Sequence, residues 1–195
     1  NVPEAIALGR EIEKARPMFY EDPVRPDNFD DMQRVASEIH IPIATGERLH
    51  TLEEFGMLLA RNACQYIRPD VCLCGGITQA KKIAAAAEAR GVLVVPHNPL
   101  SPVSTAACIQ LAASIPNFAI QEYPLGEDCA PKNEIVKSTL TLDNGYLTVP
   151  DSPGIGIELN EQAMHQYPYK PRLYVTKLRA VSYTHLRAHE TSAHL

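Results

Sequence analysis

With 195 residues, 45% of them hydrophobic, the chain can bury a core as one or two globular domains. Its net charge of −5 argues against a nucleic-acid binder, which would carry a basic footprint. No apolar run approaches a membrane span and no signal peptide is visible. Five scattered cysteines (Cys64, Cys72, Cys74, Cys108, Cys129) form no disulfide framework, so the expectation is a cytoplasmic protein with no membrane or nucleic-acid partner.

The first element is a helix from Pro3 to Ala15, with Ala5, Ile6, Leu8 and Ile12 near helical period and Pro3 in the first turn. The chain opens on Asn1 inside this helix, which suggests a fragment. A short strand reaches Tyr20. Asp27 is placed to cap a helix to about His40, with Phe29, Met32, Val35, Ala36 and Ile39 on one face. A strand to Thr45 follows, and Thr51 then opens a helix with Glu54 at the capping-box position and Phe55, Leu58 and Leu59 turned inward. Tyr66 to Pro69 reads as a strand, Gly75-Gly76 as a turn, and Thr78 to Arg90 as a helix ended by Gly91. Leu93-Val94-Val95 is a short β-branched run, as expected of a strand covered by helices. Ser104 to Ser114 is helical, and a last strand leads to Glu122. From Pro124 the pattern changes: proline and glycine become dense, and Thr139–Thr141 with Tyr146–Val149 predict a hairpin around Asp143-Asn144-Gly145. Glu161 to Gln166 reads as one more short helix.

Each predicted strand ends on an ionisable residue: Glu21, Glu47, Asp70, His97 and Glu122, spaced by 26, 23, 27 and 25 residues. A strand, a helix and two short loops take about that length, so the ladder reads as successive βα units. In a βα barrel the chemistry sits at the carboxyl ends of the strands. Neighbouring strands would bring Glu21 and Glu47 close together. Two such carboxylates suit a hard cation such as Mg2+, or each pairs with an arginine such as Arg25, Arg48 or Arg68. Asp70 and His97 also end neighbouring strands. An aspartate on one imidazole nitrogen fixes the tautomer and makes the other nitrogen a general base or acid. Glu122 is placed to hydrogen-bond a substrate or to bridge to a basic group. His50 follows the Gly46–Leu49 loop and is a weaker candidate for the mouth, while His40 and His165 have no partner in view. Cys72 and Cys74, one residue apart, are poorly spaced for zinc and read as buried apolar thiols.

Val181 to Thr191 resembles the translation of a transposase adapter used in sequencing libraries and is read as an artefact. Its His185, His189, Glu190 and His194 mimic a zincin motif, but the last histidine falls one residue late.

Taken in order, Tyr20-Glu21-Asp22-Pro23, Ala44-Thr45-Gly46-Glu47, Arg68-Pro69-Asp70, Gly75-Gly76-Ile77 and Pro96-His97-Asn98-Pro99-Leu100 resemble the mandelate racemase and muconate-lactonising branch of the enolase superfamily. The likeness runs from about Met18 to Arg172. Pro96–Ser101 with Thr105-Ala106-Ala107-Cys108 looks most like its galactonate-dehydratase group of acid-sugar dehydratases. The resemblance implies an α/β fold: the C-terminal part of a (β/α) barrel, about strands four to eight, with a C-terminal hairpin extension. The expected division is a partial barrel at 1–123, a wrap at 124–180 and the artefactual tail at 181–195. Glu21 and Glu47 match the second and third Mg2+ ligands, Asp70 and His97 the catalytic dyad, and Glu122 the glutamate after the last strand. The implied enzyme is a lyase that removes water from an aldonic acid through an enediolate to give a 2-keto-3-deoxy acid, and that forms homo-oligomers when full length. The family's first metal ligand, an aspartate on the preceding strand, is missing from the chain, which is therefore expected to be inactive alone. A racemase or cycloisomerase of the same superfamily, a barrel glycosidase and a non-catalytic fragment are the alternatives. The sugar acid, its stereochemistry and the base or acid role of His97 stay open at this stage.

Overall fold

The parallel sheet is built from very short strands, and its carboxyl edge is what positions the site. The computed structural model describes residues 1–168, 170 and 171. The tail at 181–195, with its zincin-like histidines, and the residues from Arg172 onward lie outside these. Two units are present, Asn1–Met164 and His165–Leu195, and the elements that position the site belong to the first.

In chain order the elements are α1 (Val2–Ile12), β1 (Tyr20–Glu21), α2 (Phe29–Glu38), β2 (Ile43–Thr45), α3 (Leu52–Ala60), β3 (Tyr66–Ile67), α4 (Gly76–Glu88), β4 (Leu93–Val94) and α5 (Pro102–Ala112). The strands pair in parallel in the order β1-β2-β3-β4, with Tyr20 against Ile43, Ala44 against Tyr66 and Ile67 against Val94. Each pair is joined through a helix, as parallel strands require. The strand predicted before Glu122 is reduced to a single parallel bridge, Val94 with Phe118, held by Val94 N–H to Asn117 O at 2.8 Å and Ala119 N–H to Val94 O at 2.9 Å.

The helices start where short polar side chains satisfy their free N–H groups. Asn1 caps α1 by accepting from Glu4 N–H at 3.1 Å. Thr51 and Glu54 form the expected capping box on α3: Thr51 Oγ1 accepts from Glu54 N–H at 3.2 Å, and Glu54 Oε2 accepts from Thr51 N–H at 2.9 Å. Backbone hydrogen bonds, first of all from His50, hold the Glu54 carboxyl below its usual range. The cap of α2 is Asn28, which accepts from Asp31 N–H at 3.1 Å, and not the predicted Asp27, whose carboxylate is taken by Arg25 at 2.7 Å. Gly91 follows α4 in the left-handed conformation at φ 69°, as the helix-ending position asks.

One core fills the space between helices and sheet. Met32 and Val35 of α2, Phe55 and Leu58 of α3, Ile83, Ala84 and Ala87 of α4, and Cys108 and Leu111 of α5 bury against Ile43, Ile67 and Val94. Each large apolar side chain withdrawn from water contributes about 1.5–3 kcal/mol. Val94 is fully buried but Leu93 is 38% exposed, so β4 is not covered on both sides as its composition suggested. Cys64, Cys74 and Cys108 are buried as expected, with burial pushing Cys64 and Cys108 up to about 12 and Cys74 to about 11. Cys72 is exposed, contrary to its reading as a buried thiol.

Beyond Glu122 the predicted hairpin is present, slightly shifted. Its strands are β5 (Leu142–Asp143) and β6 (Tyr146–Leu147), joined by Asn144 and Gly145, both at positive φ. That is the two-residue turn that an Asn-Gly pair favours. Among the described residues, no helix is long and apolar enough to cross a membrane.

Candidate active site

Parallel strands carry their carboxyl ends to one rim, and the five ladder residues meet there. Glu21 ends β1 itself. Glu47 follows β2 by way of Gly46, whose φ of 133° turns the chain over Phe55. A Cβ at Gly46 would lie 2.8 Å from a Phe55 ring carbon and 3.1 Å from Arg68 N, so only glycine lets the chain approach this closely. Beyond β3 and β4, a further parallel bridge joins Asp70 to His97, with His97 N–H donating to Pro69 O at 3.1 Å.

The expected dyad is formed. His97 Nδ1 lies 3.0 Å from Asp70 Oδ2. Asp70 is almost wholly buried, and its other oxygen accepts from Cys72 N–H at 2.8 Å and Leu73 N–H at 3.2 Å. These two backbone donors lock the carboxylate, which then orients the imidazole. His97 Nε2 faces the rim, 3.2 Å from Glu47 Oε2. Asp70 therefore holds one side of the ring and Glu47 the other, with a proton able to sit between Nε2 and the Glu47 carboxylate.

Arg68 organises the opposite side. It is buried, and its two terminal nitrogens bond Glu21 Oε1 and Glu122 Oε2. The arginine pairing weighed as an alternative for the acidic residues is thus realised for Glu21. Arg48 lies 3.8 Å from Glu47, and Arg25 pairs with Asp27 outside the site. Burial pushes the Glu21 carboxyl above its usual range; the charges of Asp22, Glu47 and Glu122 push the same way, against Arg68. Asp22 is raised for the same first reason, with Glu47 adding and the Thr45 hydroxyl, Arg48 and Arg68 opposing. The rim thus gathers Glu21, Asp22, Glu47 and Glu122 against two guanidinium groups.

That donor set is all hard oxygen, the ligand type that a small divalent cation takes. Among the described residues no group of three or more His, Cys, Asp or Glu has the geometry to hold a metal ion. His50 is exposed and donates its backbone N–H to Glu54; His40 is also exposed.

Arg68, Asn98, Thr105 and Glu127 were not singled out as site residues from the sequence. Arg68 had a usable signal: it stands two residues before Asp70, on the same face of an extended chain. Asn98 lies inside the Pro96–Leu100 motif. Glu127 follows Pro124-Leu125-Gly126, with no periodicity to mark it.

A family model described as "Enolase C-terminal domain-like" matches residues 1–163. The chain belongs to this enolase C-terminal domain-like family. Among curated relatives, a protein named D-galactonate dehydratase from Verminephrobacter eiseniae is 35% identical over 166 residues, which is 83% of this chain and 44% of that protein. A protein named as a D-galactonate dehydratase family member, from Musicola paradisiaca, is 37% identical over 84% of this chain and 39% of its own length. The chain thus spans less than half the length of these relatives. Among solved structures, a mandelate racemase/muconate lactonizing enzyme from a Sulfitobacter species aligns at TM-score 0.84 and 38% identity, over 89% of this chain and 43% of the other. A protein named as mandelate racemase/muconate lactonizing enzyme-like, from a Roseovarius species, aligns at TM-score 0.82 and 39% identity, over 87% and 42%. The enolase-family fold is that of a (β/α) barrel, and the four parallel strands with their helices are its α/β units in this chain.

Proposed function

We propose that this chain carries part of the active site of a Mg2+-dependent acid-sugar dehydratase, which removes water from an aldonic acid to give a 2-keto-3-deoxy acid. The observation that carries the proposal is the imidazole of His97 held between Asp70 and Glu47 at the carboxyl rim of a parallel sheet, in a chain 35% identical to proteins named D-galactonate dehydratase. Glu21 and Glu47 would hold the cation, which when bound supplies positive charge for the substrate carboxylate.

The chain's own residues account for the proton chemistry. Asp70 keeps the proton of His97 on Nδ1, so Nε2 is the atom that takes or gives a proton at the rim. Glu122, fixed by Arg68 and by the backbone N–H of Asn98 at 2.8 Å, presents a carboxyl to a substrate hydroxyl. Loss of the C2 proton and departure of the C3 hydroxyl as water leave an enol, which becomes the 2-keto acid on protonation at C3. The partner class is a small sugar acid, in a cytoplasmic homo-oligomer. The segment 1–123 supplies this part of the barrel. Among the described residues no third His, Cys, Asp or Glu joins the two carboxylates in a metal-holding group, so the 195-residue chain by itself should turn over no sugar acid.

The test is titration calorimetry on a protein that carries this segment at the length of its D-galactonate dehydratase relatives. Mg2+ should bind at millimolar concentration or tighter, and Glu47→Gln should abolish the heat. Absence of binding, or a Glu47→Gln protein that binds as its parent does, overturns the assignment. In the same protein His97→Gln should lower turnover by about 10²–10⁴-fold, the usual contribution of a positioned acid or base.

A further inference from the structure

One buried acid has no part in this chemistry. Glu127 is fully buried, as are Thr105 of α5 and Asn98. Glu127 Oε1 accepts the Thr105 hydroxyl proton at 2.5 Å, and Glu127 Oε2 has no partner among the described residues. Thr105 Oγ1 accepts from Asn98 Nδ2 at 2.7 Å. The same Asn98 nitrogen donates its second proton to the backbone oxygen of Glu122 at 3.1 Å, while Asn98 N–H donates to Glu122 Oε2 at 2.8 Å. Glu122 Oε2 in turn accepts from Arg68.

The direction of this chain of bonds follows from its donors. An amide nitrogen only donates, so the Thr105 oxygen accepts there and must pass its own proton on, and Glu127 receives it. Without an acceptor at Glu127, the Thr105 hydroxyl is free to donate to an amide oxygen instead. That favours Asn98 with its side-chain amide flipped. The flip sets Asn98 Oδ1 against the Glu122 carbonyl, oxygen against oxygen, and the side-chain hold on the Glu122 backbone is lost, which shifts the frame that carries its carboxylate. In the orientation present, Asn98 Oδ1 has no partner among the described residues. A carboxyl fully withdrawn from water is costly to keep where packing alone is served by an apolar side chain, and burial does push Glu127 above its usual range, with the Thr105 hydrogen bond and the charge of Lys132 opposing.

We propose that Glu127 is a positioning residue: it fixes the polarity of the Thr105 hydroxyl, hence the amide orientation of Asn98, hence the direction in which Glu122 faces Arg68 and the rim. The catalytic meaning of Glu122 rests on the dehydratase assignment; the linkage from Glu127 to Glu122 does not.

The experiment is NMR on the isotopically labelled 195-residue chain, reading hydrogen exchange of the Asn98 side-chain NH2 and the Cδ shift of Glu122. Glu127→Gln keeps an acceptor and Thr105→Ser keeps the hydroxyl, so both should preserve the parent's signals. Glu127→Leu and Thr105→Val should speed Asn98 NH2 exchange at least about tenfold, the equivalent of about 1.4 kcal/mol, and displace the Glu122 signal. Should Glu127→Leu fail to fold, Thr105→Val, which keeps shape and volume, decides alone. Unchanged Asn98 and Glu122 signals in Thr105→Val, whatever the loss of thermal stability, overturn the proposal, and so does loss of those signals in Glu127→Gln. The readouts need neither metal nor turnover. A failed Mg2+ titration therefore counts against the dehydratase assignment and leaves this linkage standing.

Discussion

Arg68 shows how one side chain decides what its neighbours can do. Its guanidinium sits between Glu21 and Glu122, and Glu21 still stands above its usual range because burial and three neighbouring carboxylates outweigh that one cation. Glu127 offers a cleaner test of the same physics, away from the rim. Its folded pKa is raised, first by burial, so between its ordinary value of 4.5 and the raised one the folded state binds the proton that the unfolded state has released. Stability therefore falls as pH rises through that window. Glu127→Gln keeps the Thr105 acceptor and cannot ionise. Urea denaturation from pH 4 to 8 should give the variant the flatter profile, with the parent losing ground toward neutral pH. A parallel pair of curves would mean that Glu127 titrates alike in both states.

The rim residues owe their positions to turns and caps. Gly46 joins β2 to Glu47 at a φ of 133° and leaves no room for a Cβ beside Phe55. Gly46→Ala should cost about 1–3 kcal/mol from strained backbone and crowding, read by urea denaturation. It should also displace Glu47 from His97, whose ring signals report the move. Thr51→Ala removes one cap of α3 and should cost about 1 kcal/mol without moving Glu47. The caps were partly legible. Thr51 with Glu54 has a fixed spacing that the sequence displays, whereas Asp27 loses the cap of α2 to its neighbour Asn28. Both residue types cap well, and Arg25 had already claimed the Asp27 carboxylate.

Across the sheet, four parallel strands of two or three residues are held together less by their ladders than by the helices laid over them. Phe55, fully buried under Gly46, ties that core to the rim. Phe55→Ala should destabilise the fold by about 3–5 kcal/mol in thermal or urea denaturation. A loss under 1 kcal/mol would mean that the core does not depend on this contact.

The order of units, the parallel topology and the five ladder residues were fixed by spacing, because a βα unit has a nearly constant length and parallel strands put their carboxyl ends on one side. The Asp70–His97 pair followed from the same rule, since neighbouring strands bring neighbouring rungs into reach. Tertiary structure alone decided the pairings that cross many residues: Arg68 with Glu21 and Glu122, Glu47 with His97, and Glu127 with Thr105. These partners come from strands that are not neighbours, or from a later loop, so the rule that pairs adjacent rungs does not reach them. Which carboxylate a buried cation takes depends on distances of a few ångströms that only the packed chain sets.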